Sequence, residues 1–267
     1  MRIPFTKAHG AGNDFLLTWA YDAPREDLPG VARAICERHT GVGADGWMLV
    51  RAGGPEQCDA SIRLFNADGS EPEISGNGTR CAAAFFLDTG LITAAEIRIA
   101  TGAGIKHLRL IERDGLRFLF EMNMGRPVWT EENLRLMLPL AAGRREVAAL
   151  SAGNPQCAVF VDDFDFDWRA LGAEIERHPF FPNRTNVSFV RCVDAHTIEA
   201  RFFERGAGET MSSGTGSAGA VVAAILRGVA ESPVRVLTPA RPLDLRWDDE
   251  VFLTGPAEIT AGGEFYL

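Results

Sequence analysis

Two segments of this chain are apolar nearly all round at helical spacing, and the same small residues open and close both. Ser75-Gly76-Asn77-Gly78 leads into residues 79–89 and ends at Gly90; Ser213-Gly214-Thr215-Gly216 leads into residues 217–227 and ends at Gly228. A helix without a polar face has to be enclosed. A curved sheet wrapped round a central helix would enclose it, and the sequence asks for that arrangement twice. The two segments lie 138 residues apart, and over residues 63–90 that offset also matches Arg63 to Arg201, Phe65 to Phe203, Glu71 to Glu209 and Ala82 to Ala220. With the serines and glycines this makes eight identities, against roughly two expected by chance at average residue usage. Gly12-Asn13 recurs as Gly153-Asn154, and Glu37-Arg38-His39 as Glu176-Arg177-His178, at nearly the same distance.

A repeat of this length is domain-sized, not solenoid-sized. The expected fold is α/β (α+β): two pseudo-symmetric domains, residues 1–124 and 125–267, each a curved, mostly antiparallel sheet round a central helix. The last strand is free to pack on the first domain. Each domain is expected to bring one helix N-terminus to a shared cleft. Pro127 to Gly143 repeats least and reads as the linker. Helical spacing also marks Leu28–His39 and Trp168–His178, and a hairpin is expected around Asp114-Gly115.

Composition narrows the function. A net charge of −9 argues against a nucleic-acid partner. No apolar run approaches the ~20 residues of a membrane span, and the first residues do not read as a signal peptide. Five scattered cysteines, with no CxxC pair, fit a reducing cytoplasm and no zinc site. The five histidines show no metal-ligand spacing either, so no metal is expected.

The chemistry concentrates at the two glycine-rich helix starts. Backbone N–H groups there lack intrahelical partners and sit at the positive end of the helix dipole. Glycine lets a carboxylate approach them closely. Ser75 and Ser213 are also good N-cap residues. Asn13, Asn66, Asn154 and Asn186 fall in loops, where asparagine serves turns as readily as ligands. Glu204-Arg205 reads either as a surface ion pair of little value or as a grip on an ammonium and a carboxylate. His39 and His178, at helix ends, read as structural.

The motifs closely resemble those of the diaminopimelate epimerase family. The family's HGxGNDF appears as His9–Phe15, RHxGIGADG as Arg38–Gly46, and FNADGSEAEMCGNGxR as Phe65–Arg80. GNPH appears as Gly153–Gln156, PNRxN as Pro182–Asn186, and ERGxGET…CGTG as Glu204–Gly216. The resemblance spans nearly the whole chain in order. It implies cofactor-free epimerisation of LL-2,6-diaminopimelate to the meso form, in lysine and peptidoglycan biosynthesis. Two cysteines would act on opposite faces of the α-carbon. It further implies that Asn13, Asn66, Asn154, Asn186, Glu204 and Arg205 grip the far end of a long amino acid. Gly76, Asn77, Gly214 and Thr215 would bind the reacting carboxylate. The partner implied is a small amino acid in the cytoplasm, and a homodimer is left open.

Three departures from the family pattern bear on the chemistry. Ser75 and Ser213 stand at the two catalytic cysteine positions, and Gln156 stands where histidine follows GNP. A helix N-terminus brings a thiolate within reach at neutral pH. If a hydroxyl titrates ~5 units above the thiol, the alkoxide costs roughly 7 kcal/mol more, or about 10⁵-fold in rate. Serine acts as a base only with help from another base; nearby carboxylates in the sequence include Asp68, Glu73 and Glu209. Two rival readings follow: a carboxylate-based isomerase of another amino acid, and a non-catalytic amino-acid-binding protein.

Overall fold

The computed structural model describes residues 1–267. The fold is a sheet-dominated α+β arrangement with few helices. The chain divides into two compact units, Met1–Asn123 with Thr254–Leu267, and Met124–Leu253. No helix is long and apolar enough to cross a membrane.

The first unit runs β1 (Arg2–Gly10), β2 (Asn13–Trp19), α1 (Leu28–Cys36), β3 (Gly46–Ala52), β4 (Ala60–Asn66), α2 (Gly76–Asp88), β5 (Glu96–Thr101), β6 (Gly104–Asp114) and β7 (Arg117–Gly125). These strands pair in sequence order, antiparallel except for β2–β3 and β4–β5. The second unit runs α3 (Glu131–Leu134), β8 (Leu136–Leu140), β9 (Gly143–Ser151), β10 (Pro155–Phe160), α4 (Trp168–Glu176), β11 (Asn186–Asp194), β12 (Thr197–Glu204), β13 (Gly208–Thr210), α5 (Gly214–Leu226), β14 (Val234–Leu237) and β15 (Leu243–Trp247). The last strand, β16 (Val251–Tyr266), sends residues 258–266 back to pair antiparallel with β1.

The internal repeat is visible in the pairing. β9–β10 is antiparallel like β1–β2, β10–β11 parallel like β2–β3, β11–β12 antiparallel like β3–β4, and β12–β14 parallel like β4–β5. In each unit one helix is enclosed. Residues 76–87 of α2 and 214–224 of α5 are all buried, against β1, β2, β4 and β5 in one unit and β9–β12, β14 and β15 in the other. The other sheet face is covered by an amphipathic helix. Val31, Ala32 and Ile35 of α1 pack on Trp47 and Phe65; Trp168 and Ile175 of α4 pack on Phe189 and Val187. A hydrophobic face on each side of a sheet, rather than one, explains the continuous apolar run Trp47–Val50.

The enclosed helices start three residues earlier than their apolar runs. The glycines are not a turn before the helix; they are its first turn, because each serine caps it. Ser75 Oγ accepts the Gly78 N–H at 3.1 Å and Ser213 Oγ the Gly216 N–H at 3.0 Å. Gly90 and Gly228 follow the C-termini with the same φ of 71°, the left-handed conformation that ends helices. α1 and α4 stop at Cys36 and Glu176, short of His39 and His178, where the chain turns and side chains take over. Glu37 accepts the His39 N–H, and His178 Nε2 meets the Pro139 carbonyl at 3.0 Å. The stretch expected as linker is structured: it holds α3 and β8, and β8 forms a hairpin with β9.

Candidate active site

In the first unit a chain of amides leads to the start of α2. Asn13, at the head of β2, donates through Nδ2 to Asp45 Oδ2 at 2.6 Å and accepts through Oδ1 from Asn77 Nδ2 at 3.2 Å. Asn77 Oδ1 in turn accepts from Arg80 Nη2 at 2.5 Å. The strand comes this close because Gly10 has no side chain: a Cβ there would lie 3.0 Å from Asn77 Cβ.

Beyond Asn13 the network ends in a charged cluster. Arg38 donates to Asp14 at 2.9 Å and Asp45 at 2.8 Å, and Lys7 Nζ lies 3.0 Å from Asp14. Burial pushes the Asp14 carboxyl up, but the hydrogen bonds and charges of Arg38 and Lys7 outweigh it and hold it below its usual value. Asp45 goes the other way, raised by burial and by the neighbouring Asp14 charge.

The second unit repeats the amide chain with other chemistry. Asn154 Nδ2 reaches Thr215 Oγ1 at 3.5 Å, as Asn13 meets Asn77. Gln156 is buried, donates to Asn154 Oδ1 at 2.5 Å and packs on Gly219 of α5, leaving its own carbonyl oxygen without a partner. Asn186 donates to the Pro155 carbonyl at 3.0 Å and accepts the Arg205 backbone N–H at 2.9 Å. The Arg205 side chain reaches the Asn183 carbonyl at 3.0 Å.

The two capping serines stand in different surroundings. Ser213 is buried and donates to Glu204 Oε1 at 2.6 Å, while Thr210 donates to Glu204 Oε2 at 2.8 Å. Glu204 ends β12, so the sheet delivers a carboxylate to the cap of the helix it encloses. Ser75 is half-buried and borders a cavity of about 270 Å³ shared with Arg63, Glu71, Glu73 and Thr101. Asn66, the counterpart of Glu204 in the repeat, donates to Ser70 at 3.0 Å.

The carboxylate that touches a capping serine is thus Glu204, not Asp68, Glu73 or Glu209. Glu209 forms a two-pronged pair with Arg169 at 2.5 and 2.8 Å, on the surface. Asp68 accepts from Ser70. Glu73 is exposed and lines the cavity beside Ser75. Glu204 and Ser213 are nine residues apart, a separation that carries no helical or strand period; only the antiparallel return of β13 against β12 brings them together. Sequence reasoning misses Arg80 as well, although a lone cation in an apolar helix is a visible signal. Among the remaining thiols, burial pushes Cys36 and Cys81 up to about 12 and raises Cys157 as well, so these three offer no substitute base.

A family model described as diaminopimelate epimerase matches residues 5–130 and 148–260. Among similar sequences, the diaminopimelate epimerase of Pelotomaculum thermopropionicum is 40% identical over 98% of both chains. That of Aromatoleum aromaticum is 42% identical over 99% of both. Among solved structures, a hydroxyproline epimerase from Agrobacterium vitis superposes with a TM-score of 0.78 at 15% identity, over 98% of this chain and 92% of that one. A Bacillus anthracis phenazine biosynthesis protein of the PhzF family gives 0.71 at 16% identity over the whole of both chains. At these identities the two structures bear on the fold alone.

Proposed function

The chain belongs to the diaminopimelate epimerase family, and from that premise we propose that it moves a proton at the α-carbon of diaminopimelate, slowly, with two serine hydroxyls and a helper carboxylate. The observation that carries this reading is the 2.6 Å hydrogen bond from Ser213 to Glu204. As Ser213 Oγ takes the α-proton, its own proton passes to Glu204. The electron pair left at the α-carbon delocalises into the α-carboxylate. Backbone donors of Gly76, Asn77, Gly214 and Thr215 stabilise that charge, each worth up to ~10²–10³ in rate in comparable sites. Ser75 Oγ–H gives a proton to the opposite face. Solvent reprotonates Ser75 and takes the proton from Glu204. The reading requires both hydroxyls to reach one α-carbon, from opposite sides.

Asn13, Asn66, Asn154, Asn186 and Arg205 hold the distal end of the substrate. Every step uses side chains and backbone of this chain, so no cofactor is called for. The working place is the cytoplasm and the partner a small amino acid.

The two faces are unequal, because Ser213 has a carboxylate partner, whereas the residue that matches Glu204 in the first unit is the neutral Asn66, whose amide donates to Ser70. The test is deuterium entry at the α-carbon of LL- and meso-diaminopimelate in heavy water. The expected result is measurable exchange in the parent, starting from one epimer more than the other, and at least a hundredfold loss in Glu204→Gln. Equal, unchanged exchange in Glu204→Gln would overturn the role given to that carboxylate. A second reading draws on the same contact: if Ser213→Ala exchanges as fast as the parent, Glu204 takes the proton directly. The protein would then be a carboxylate-based isomerase.

A further inference from the structure

Arg80 is the fifth residue of α2 and is completely buried. Its guanidinium points back to the start of its own helix. Nη1 donates to the Gly76 carbonyl at 3.2 Å, Nη2 to Asn77 Oδ1 at 2.5 Å, and Nε to the Pro256 carbonyl at 3.2 Å. All three acceptors are neutral. Burial draws its pKa down to about 10. It therefore stays a cation at neutral pH, without a carboxylate beside it.

Burying a charge without a counter-charge is expensive. The position makes it more so, because the N-terminal end of α2 is already the positive end of a helix dipole. The fold places two like fields together, and the three acceptors bonded to Arg80 bring no negative charge. The repeat shows that packing does not demand this. The equivalent position in α5 is Ala218, equally buried and without charge, and the two helices keep matching caps and lengths.

We propose that Arg80 is a positioning residue for substrate: a buried cation under the first turn of α2 that fixes Gly76 and Asn77 and whose missing counter-charge is the α-carboxylate of the amino acid. This deepens the functional reading above and rests on it. Arg80 acts through the turn, orienting the groups that meet the carboxylate and adding its field to theirs. It also makes the halves of the carboxylate cradle chemically different, with the cation under α2 and the carboxylate of Glu204 at the cap of α5.

Calorimetry on the full chain tests this with two probes, meso-diaminopimelate and its α-carboxamide, in which the carboxylate is replaced by a neutral group of like shape. The parent is compared with Arg80→Lys, Arg80→Gln and Arg80→Met. The parent should prefer the acid to the amide. Arg80→Met and Arg80→Gln should bind the acid at least tenfold more weakly and the amide within threefold of the parent. Arg80→Lys, which keeps the charge and loses the fork, should retain most of the preference. If acid and amide weaken together in every variant that folds, Arg80 only braces the helix and the proposal fails. It fails equally if the acid binds each variant as tightly as the parent. If the parent binds neither probe, the functional reading fails first and takes this proposal with it.

Discussion

Asp14 and Asp45 share one arginine, and the share is uneven. Asp14 holds Lys7 as well and titrates below its usual value; Asp45, partly buried beside another carboxylate, titrates above it. A carboxylate whose folded pKa is depressed contributes stability at all pH values above its unfolded pKa. That contribution is lost as the pH falls through the folded value. For Asp14 the loss therefore begins below about pH 4, the unfolded value of aspartate. Asp14→Asn should lower stability by about 1–3 kcal/mol at pH 7, as expected for charge-assisted hydrogen bonds left unmade. It should also flatten the decline below pH 4. Urea unfolding of parent and variant from pH 3 to 7 reads both effects, and parallel curves would remove Asp14 as an anchor of the network that holds Asn13.

At the scale of elements, the enclosed helices depend on what their glycines leave out. Propensity alone says that glycine to alanine inside a helix stabilises by up to ~1 kcal/mol. In α5 the opposite sign is expected. A Cβ on Gly216 would stand 2.8 Å from both Phe202 Cδ1 and the Ser213 hydroxyl oxygen. Gly216→Ala should therefore destabilise by about 1–3 kcal/mol, as overpacking does, and should break the contact from Ser213 to Glu204. Thermal unfolding and α-proton exchange should both fall. A stabilised, fully active Gly216→Ala would mean that the cap tolerates a shift the close approach excludes. Gly10→Ala tests the equivalent approach of β1 to Asn77, where the obstacle includes helix backbone.

Across the whole molecule, the sequence is most legible where chemistry repeats and least where the chain meets itself from afar. Two helices apolar all round have to be enclosed, and their serine and glycine ends fix their caps. That leaves few ways to arrange the sheets, and the repeated pairing of β1–β5 in β9–β14 follows. The helix starts lie three residues ahead of where periodicity puts them, because capping turns a glycine loop into a first turn. Long-range partners have no local signature. The contact of Arg80 with Pro256 spans 176 residues. The pairing of β1 with β16 joins the two ends of the chain, and Asp45 reaches Asn13 across 32 positions. The motifs name the asparagines and Glu204-Arg205 as candidates. They do not give Glu204's hold on Ser213, since it depends on where β12 ends relative to α5.

On the proposed reading, two hydroxyls work where the family pattern has two thiols. Deuterium incorporation at the α-carbon of LL-diaminopimelate in heavy water measures this most directly, comparing the parent, Ser75→Cys, Ser213→Cys and the double variant. The swap is nearly isosteric, and helix N-termini favour a thiolate. The double variant should exchange and epimerise at least 10³-fold faster than the parent, short of the ~10⁵ that the acidity gap allows, because Gln156 stands in place of histidine. Each single variant should gain less, since epimerisation needs an acid and a base on opposite faces. A double variant that binds diaminopimelate but exchanges no faster than the parent would contradict a site built for two thiols.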